Sequence, residues 1–183
     1  LADVLYGTRF GGVSLSPDGR YLMTTYTLRH DDGKSDRITS IKELATGRIV
    51  AQRSEPIQWM PRSIAYYFTR NGVEGRQLVK VDVATGKEML LADNLPKGRF
   101  IIAPTEEYLL YTLNEEGPAE NKEVYEVVHP DDRQPGWRNR SQLAKYDLRS
   151  GLMQPLTFGY RDVRCNDISA DGQRLLCSTS KPD

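Results

Sequence analysis

Two similar stretches of the sequence each predict a β-hairpin: Gly12-Val-Ser-Leu-Ser-Pro-Asp-Gly-Arg-Tyr-Leu-Met-Thr24 and Asn166-Asp-Ile-Ser-Ala-Asp-Gly-Gln-Arg-Leu-Leu-Cys-Ser178. Each copy begins its turn with a serine and reaches a glycine three residues later, at Gly19 and at Gly172. This is the composition of a type I turn that closes on a left-handed glycine. A hairpin that recurs along a chain predicts a repeat architecture.

A second kind of turn sets the length of the repeat. Leu44-Ala-Thr-Gly47 and Val83-Ala-Thr-Gly86 are nearly identical, and their glycines lie 39 residues apart. That spacing is close to the roughly 40–45 residues of a four-stranded propeller blade. A third such turn, Leu148-Arg-Ser-Gly151, ends 65 residues after Gly86. The second spacing exceeds the first by about 25 residues, which indicates an insertion of that length in the third blade.

These spacings predict an all-β fold, a partial β-propeller of about three and a half four-stranded antiparallel blades. Residues 1–183 form one domain in this interpretation. A β-sandwich also has short strands at similar spacing, but sandwiches do not usually repeat one turn at a fixed interval. The blades are WD40-like in strand number, although the sequence lacks the Gly-His and Trp-Asp signatures of WD40 repeats. We expect blades at about 10–53, 54–95 and 96–158, an insertion at 114–141, and a half blade at 159–183.

Composition excludes several classes of function. The 25 basic and 25 acidic residues give a formal net charge of zero, so no field of one sign recruits nucleic acid or an anionic membrane. No uninterrupted apolar run approaches the roughly 18 residues of a membrane span. The chain begins at Leu1 without a starting Met, and we expect it to be a piece of a longer protein. The open edges of an incomplete ring would favour pairing with a second copy.

The two cysteines, Cys165 and Cys177, flank the second copy of the hairpin on opposite strands. If they lie directly across from each other, a disulfide is sterically allowed. A register change of one residue would place them on opposite faces. The sequence therefore leaves open both a bridge and two free thiols.

The strings Ser16–Leu22 and Ser169–Leu175 resemble the propeller repeats shared by the Tol-system translocation protein and the prolyl oligopeptidase family. The two Ala-Thr-Gly turns look like the outer hairpins of the same blades. The end of the insertion, Asp131-Asp-Arg-Gln-Pro-Gly-Trp-Arg-Asn-Arg-Ser-Gln-Leu143, looks most like the N-terminal propeller of bacterial dipeptidyl peptidase IV-like enzymes. This resemblance implies a propeller segment of a periplasmic or secreted serine exopeptidase.

The catalytic chemistry that the resemblance implies is missing from this chain. Such peptidases carry a Gly-x-Ser-x-Gly elbow and a Ser, Asp, His triad in an α/β-hydrolase domain. The sequence has no such elbow, and its two histidines, His30 and His129, stand in polar, turn-like runs. We predict a non-catalytic segment that gates access and meets peptide substrates together with a hydrolase domain elsewhere in the parent protein.

The resemblance also implies a substrate-binding pair. In dipeptidyl peptidase IV relatives, two glutamates of the propeller bind the free N-terminal amine of the substrate, because two carboxylates satisfy both the charge and the donors of an ammonium. Glu115 and Glu116, in the insertion, are the candidates here, and Glu106–Glu107 is a weaker pair in a hairpin turn. Asn114-Glu-Glu-Gly117 lacks the aromatic, helical setting that is usual in the family. Adjacent loop glutamates are most often simply solvated.

Two further expectations complete the interpretation. His129-Pro-Asp-Asp132 contains metal-ligand residue types, but no partner cluster is visible, so we expect neither a metal nor a cofactor. The alternative function is a Tol-like periplasmic propeller that acts only as a protein-binding module. A hydrolase domain beyond Asp183 would establish the peptidase, whereas an end soon after ring closure would favour the alternative.

Overall fold

The computed structural model describes residues 7–116, 139–159 and 161–179, and throughout these ranges the chain consists of strands, turns and irregular connections. His129 and most of the expected insertion lie outside these ranges. The described strands are β1 (Gly7–Leu15), β2 (Tyr21–Arg29), β3 (Ser35–Glu43), β4 (Ile49–Arg53), β5 (Gln58–Trp59), β6 (Ala65–Asn71), β7 (Arg76–Asp82), β8 (Glu88–Leu95), β9 (Arg99–Ile102), β10 (Tyr108–Glu115), β11 (Arg140–Asp147), β12 (Met153–Pro155), β13 (Val163–Ile168) and β14 (Leu175–Thr179).

The strands form antiparallel sheets in chain order. Strands β1 to β4, β5 to β8 and β9 to β12 make three four-stranded sheets, and β13 pairs with β14 in a two-stranded sheet. This arrangement confirms the predicted fold class, all-β with the four-stranded antiparallel sheets of a partial β-propeller. The structure divides into two compact units, Leu1–Pro96 with the first two sheets and Lys97–Asp183 with the others.

The first copy of the repeated hairpin turns as its sequence predicts. The amide of Gly19 donates to the carbonyl of Ser16 at 2.9 Å, and Gly19 has a φ of 71°. The Ser16 hydroxyl donates to Asp18 Oδ1 at 2.6 Å and accepts from the amide of Tyr21 at 3.0 Å. The hydrogen bonds from Ser16 and Arg20 lower the pKa of Asp18 to about 2.

The second copy repeats these bonds. The amide of Gly172 donates to the carbonyl of Ser169 at 2.7 Å, and the Ser169 hydroxyl accepts from the amide of Arg174 at 2.9 Å. Gly172 has a φ of 68°, and a Cβ there would also meet Thr105 at 3.1 Å. The carbonyl of Gly172 accepts from the Tyr108 hydroxyl at 2.9 Å, so this turn packs against the third sheet.

The outer turns share a different bonding pattern. Asp82 Oδ1 accepts from the amide of Thr85 at 2.8 Å and from its hydroxyl at 2.7 Å. Asp147 Oδ1 accepts equivalent bonds from Ser150 at 2.8 and 2.9 Å, and a glycine with positive φ follows in both turns. These bonds hold the pKa of both carboxyls below the usual value. Both turns therefore have the same geometry, which follows from the Thr-Gly or Ser-Gly pair in their sequences.

Each unit has its own apolar core. In the first unit, the first two sheets share one apolar core, and Trp59 Nε1 also donates to the carbonyl of Ser14 at 3.3 Å. In the second unit, the third sheet packs against the β13–β14 hairpin. The buried members are Tyr21, Met23, Ile41, Ile57, Tyr66, Phe68, Val79, Val81 and Val83 in the first unit, and Ala103, Tyr108, Leu110, Leu143 and Ile168 in the second.

Candidate substrate-binding arm

The two predicted substrate-binding glutamates lie at the end of a long hairpin arm made of β10 and β11. The strands pair without a break from Tyr108↔Asp147 to Glu115↔Arg140. The arm thus extends two residues into each end of the expected insertion at 114–141. Glu115 is the last residue of β10, Glu116 follows it, and both are exposed.

The electrostatics of this end are mixed. Residues that are directly opposite in an antiparallel pair share one face of the sheet, so Arg140 is the cross-strand neighbour of Glu115. Within the described ranges, the side chains of Glu115 and Glu116 make no hydrogen bond or ion pair. Glu115 and Glu116 present two exposed carboxylates here, a pair that suits a cationic ligand.

Polar contacts fix the arm to the connector, the segment between β12 and β13. The amide of Ser141 donates to Asp162 Oδ1 at 2.7 Å. The hydroxyl of Ser141 also reaches Asn114 Oδ1 at 3.4 Å, across the arm. One residue further along β11, the side chain of Gln142 is only 2% exposed.

The buried Gln142 amide joins three parts of the connector. Its Nε2 donates to the carbonyl of Gly159 at 3.1 Å and to that of Arg161 at 2.9 Å. Its Oε1 accepts from the Thr157 hydroxyl at 2.7 Å, and that hydroxyl accepts from the amide of Leu143 at 2.8 Å. Both ends of the amide are therefore satisfied, as a buried polar group requires.

Sequence reasoning missed Gln142 and Asp162. One signal was available for Gln142, because the alternation of a strand places it on the same face as the buried Ala144 and Tyr146. A polar residue in such a position needs partners. Nothing local in the sequence identifies those partners, since they follow a separate turn and strand.

The other predicted residues lie apart from this end. Glu106 and Glu107 are in the β9–β10 turn, at the opposite end of the eight-residue strand β10, which at about 3.3 Å per residue is about 25 Å away. The two acidic pairs cannot bind one ammonium together. His30 lies in the β2–β3 hairpin, where its Nε2 is 2.9 Å from Asp36 Oδ2.

The described residues contain neither a candidate metal site nor a helix that could span a membrane. No group of three or more His, Cys, Asp or Glu residues in those ranges could hold a metal ion. The same part of the chain contains no helix with the length and apolar character that crossing a bilayer requires.

Comparisons with known proteins agree with the fold. No protein-family model matches the chain. No curated protein matches it either. Among solved structures, an acylaminoacyl peptidase in complex with Z-Gly-Gly-Phe-chloromethyl ketone is 13% identical, with a TM-score of 0.50, over 86% of this chain and 28% of that one. TolB from Acinetobacter baumannii is 16% identical, with a TM-score of 0.47, over 92% of this chain and 37% of that one.

The tricorn protease gives a similar result, with 13% identity and a TM-score of 0.49 over 91% of this chain and 15% of that one. The chain thus spans well under half the length of each of these proteins. At such identities, the likeness to the acylaminoacyl peptidase shows a shared propeller-type fold and nothing finer.

Proposed function

We propose that this chain is a non-catalytic propeller segment of a bacterial dipeptidyl peptidase IV-like serine exopeptidase, in the periplasm or secreted. The segment restricts access to the active site of a hydrolase domain and helps to position peptide substrates. The observation that carries the proposal is the pair of exposed carboxylates, Glu115 and Glu116, at the end of the β10–β11 arm of a four-stranded sheet. The sequence resemblance of the repeated turns and of the insertion supports the peptidase class.

In this proposal, Glu115 and Glu116 bind the N-terminal ammonium of the substrate. Both carboxylates are exposed at the end of the arm, so a peptide can reach them without a rearrangement of the core. Two carboxylates together satisfy the charge and the donors of one ammonium. An N-acylated peptide has no ammonium and loses this interaction.

The test is dipeptide release by the full-length protein from Xaa-Pro or Xaa-Ala substrates, with and without an N-terminal acyl group. A charged hydrogen bond contributes about 1.5–3 kcal/mol, so Glu115→Ala/Glu116→Ala should lower kcat/KM for free-amine substrates roughly 10–100-fold. Glu74→Ala is the matched control, because Glu74 is an exposed glutamate at the β6–β7 turn. The control variant should change kcat/KM by less than about twofold.

Two results would contradict the proposal at different levels. Normal cleavage of free-amine substrates by the double variant would show that the amine is bound elsewhere. Absence of dipeptide release by the wild-type protein would argue against the exopeptidase itself.

The alternative function is a Tol-like periplasmic propeller that binds partner proteins. An apolar surface on β1 favours it, since Phe10, Val13 and Leu15 are 64%, 57% and 55% exposed. Their partners on β2 place the three on one face of the sheet, and contiguous exposed apolar patches often bind other proteins. A second copy of the chain is one such partner, which light scattering of the full-length protein would detect. Lack of dipeptide release together with loss of partner binding in Val13→Lys would support this alternative.

A further inference from the structure

The two cysteines are direct partners across the β13–β14 hairpin. Cys165 pairs with Cys177, and the pairing continues through Arg164↔Ser178 to Val163↔Thr179. Opposite residues of an antiparallel pair have Cβ atoms about 4.5–5.5 Å apart, close to the roughly 3.5–4.5 Å of a disulfide. The register therefore decides the question that the sequence left open, because both sulfurs lie on the same face of the hairpin.

The two thiols differ in their surroundings. Cys165 is half-buried and packs against the apolar core of the second unit, and its Sγ donates to the carbonyl of Asp167 at 3.3 Å. Burial and the neighbouring Cys177 raise the pKa of the Cys165 thiol. Cys177 is exposed, and both thiols are free in the structure. An external disulfide therefore reaches Cys177 first.

We propose that Cys165 and Cys177 form a cross-strand disulfide by exchange with a small-molecule disulfide such as oxidised glutathione. The Cys177 thiolate attacks one sulfur of that disulfide, breaks its S–S bond and releases one thiolate. Cys165 then gives its proton to solvent and attacks Cys177 Sγ, which breaks the mixed disulfide and releases the second thiolate. The two cysteine thiols are oxidised, and the small disulfide is reduced to two thiols.

The bridge would add a covalent link between the two strands of this hairpin. Within the described residues, β14 pairs only with β13. A covalent link between the strands restricts the residues between 165 and 177 in the unfolded chain, and it also prevents the two strands from separating in the folded one. This inference does not depend on the proposed peptidase role.

Peptide mapping of the full-length protein tests the proposal. Arg174 lies between the cysteines, so trypsin places them in separate peptides that only a disulfide can join. After incubation with oxidised glutathione, blocking of free thiols and digestion without reductant, we expect the Cys165 and Cys177 peptides as a linked pair from monomeric protein. Absence of the linked pair, or its appearance only in a cross-linked dimer, overturns the proposal.

A register-shifted variant provides the matched control. Leu176→Cys/Cys177→Ser keeps two cysteines in the hairpin but moves one opposite Asp167, on the other face of the sheet. We expect no linked pair from this variant, and equal linkage in it would contradict the argument from register. Cys165→Ser gives a second readout, because Cys177 should then keep its mixed disulfide with glutathione. Loss of that adduct without reductant would rule out Cys165 as the second attacking group.

Discussion

Replacement of Gln142 by leucine should loosen the base of the β10–β11 arm while the apolar core stays filled. Leucine has a similar volume but no hydrogen-bonding atoms, so the variant removes all three side-chain bonds to the connector: two to the carbonyls of Gly159 and Arg161, and one from Thr157. The bond from the amide of Leu143 to the Thr157 hydroxyl remains available. The change therefore isolates what the buried amide contributes.

The magnitude follows from the number of bonds and from their surroundings. A typical hydrogen bond contributes a net 0.5–1.5 kcal/mol, so three would give about 3 kcal/mol. Gly159 and Arg161 are exposed residues, and their carbonyls can accept from water after the change. We therefore expect a loss of about 2 kcal/mol, which corresponds to a roughly 30-fold increase in local opening.

Hydrogen exchange of the full-length protein measures this opening at single amides. The amides of Ser141 and Leu143, which donate to Asp162 and Thr157, should exchange roughly 30-fold faster in Gln142→Leu. Gln154→Leu is the matched control in the same sheet, because Gln154 is exposed in β12 and should change exchange less than about twofold. Unchanged exchange of both amides in Gln142→Leu would refute the role given to the buried network.

Three further predictions concern the repeated turns. Ser16→Ala removes the bonds to Asp18 and from the amide of Tyr21 at a buried site, and it should lower the free energy of unfolding by about 1–2 kcal/mol in urea titrations. Gly19→Ala should cost about 1 kcal/mol because of its left-handed φ alone, whereas Gly172→Ala should cost more because its Cβ also meets Thr105. Hydrogen exchange at each turn measures these losses of stability. Equal losses in the two glycine variants would contradict this difference. The folded-state pKa of Asp18 is lowered to about 2 from 3.8, so its contribution to stability is complete above the higher value and is lost as the pH falls towards the lower one. A carboxyl NMR titration should therefore give a midpoint near 2, and an ordinary midpoint would contradict the bonding described for this turn.

The turns and the fold class were predictable because their causes are local. The serine, aspartate and glycine of each turn bond to one another within six residues, so their identities and spacing appear together in the sequence. The repeat of those turns then gave the sheets in chain order. Such local information specifies a hairpin, but it does not specify contacts between distant segments.

The arm and its connector depend on contacts between distant residues. Glu115 and Arg140 are 25 positions apart in the chain, and the sequence between them does not specify how the two residues pair. The partners of Gln142 follow β12 in the chain, and the antiparallel pairing of β12 with β11 places them beside it. The register of Cys165 and Cys177 also depends on the bulge between Cys165 and Asp167, which turn chemistry does not specify.

The most direct test of the proposed role is a crystal structure of the full-length protein with a bound peptide that has a free N-terminus. We predict that the ammonium nitrogen lies about 2.7–2.9 Å from a carboxylate oxygen of Glu115 or Glu116, at the end of the β10–β11 arm. An ammonium held by other residues, with this end of the arm remote from the peptide, would contradict the proposal.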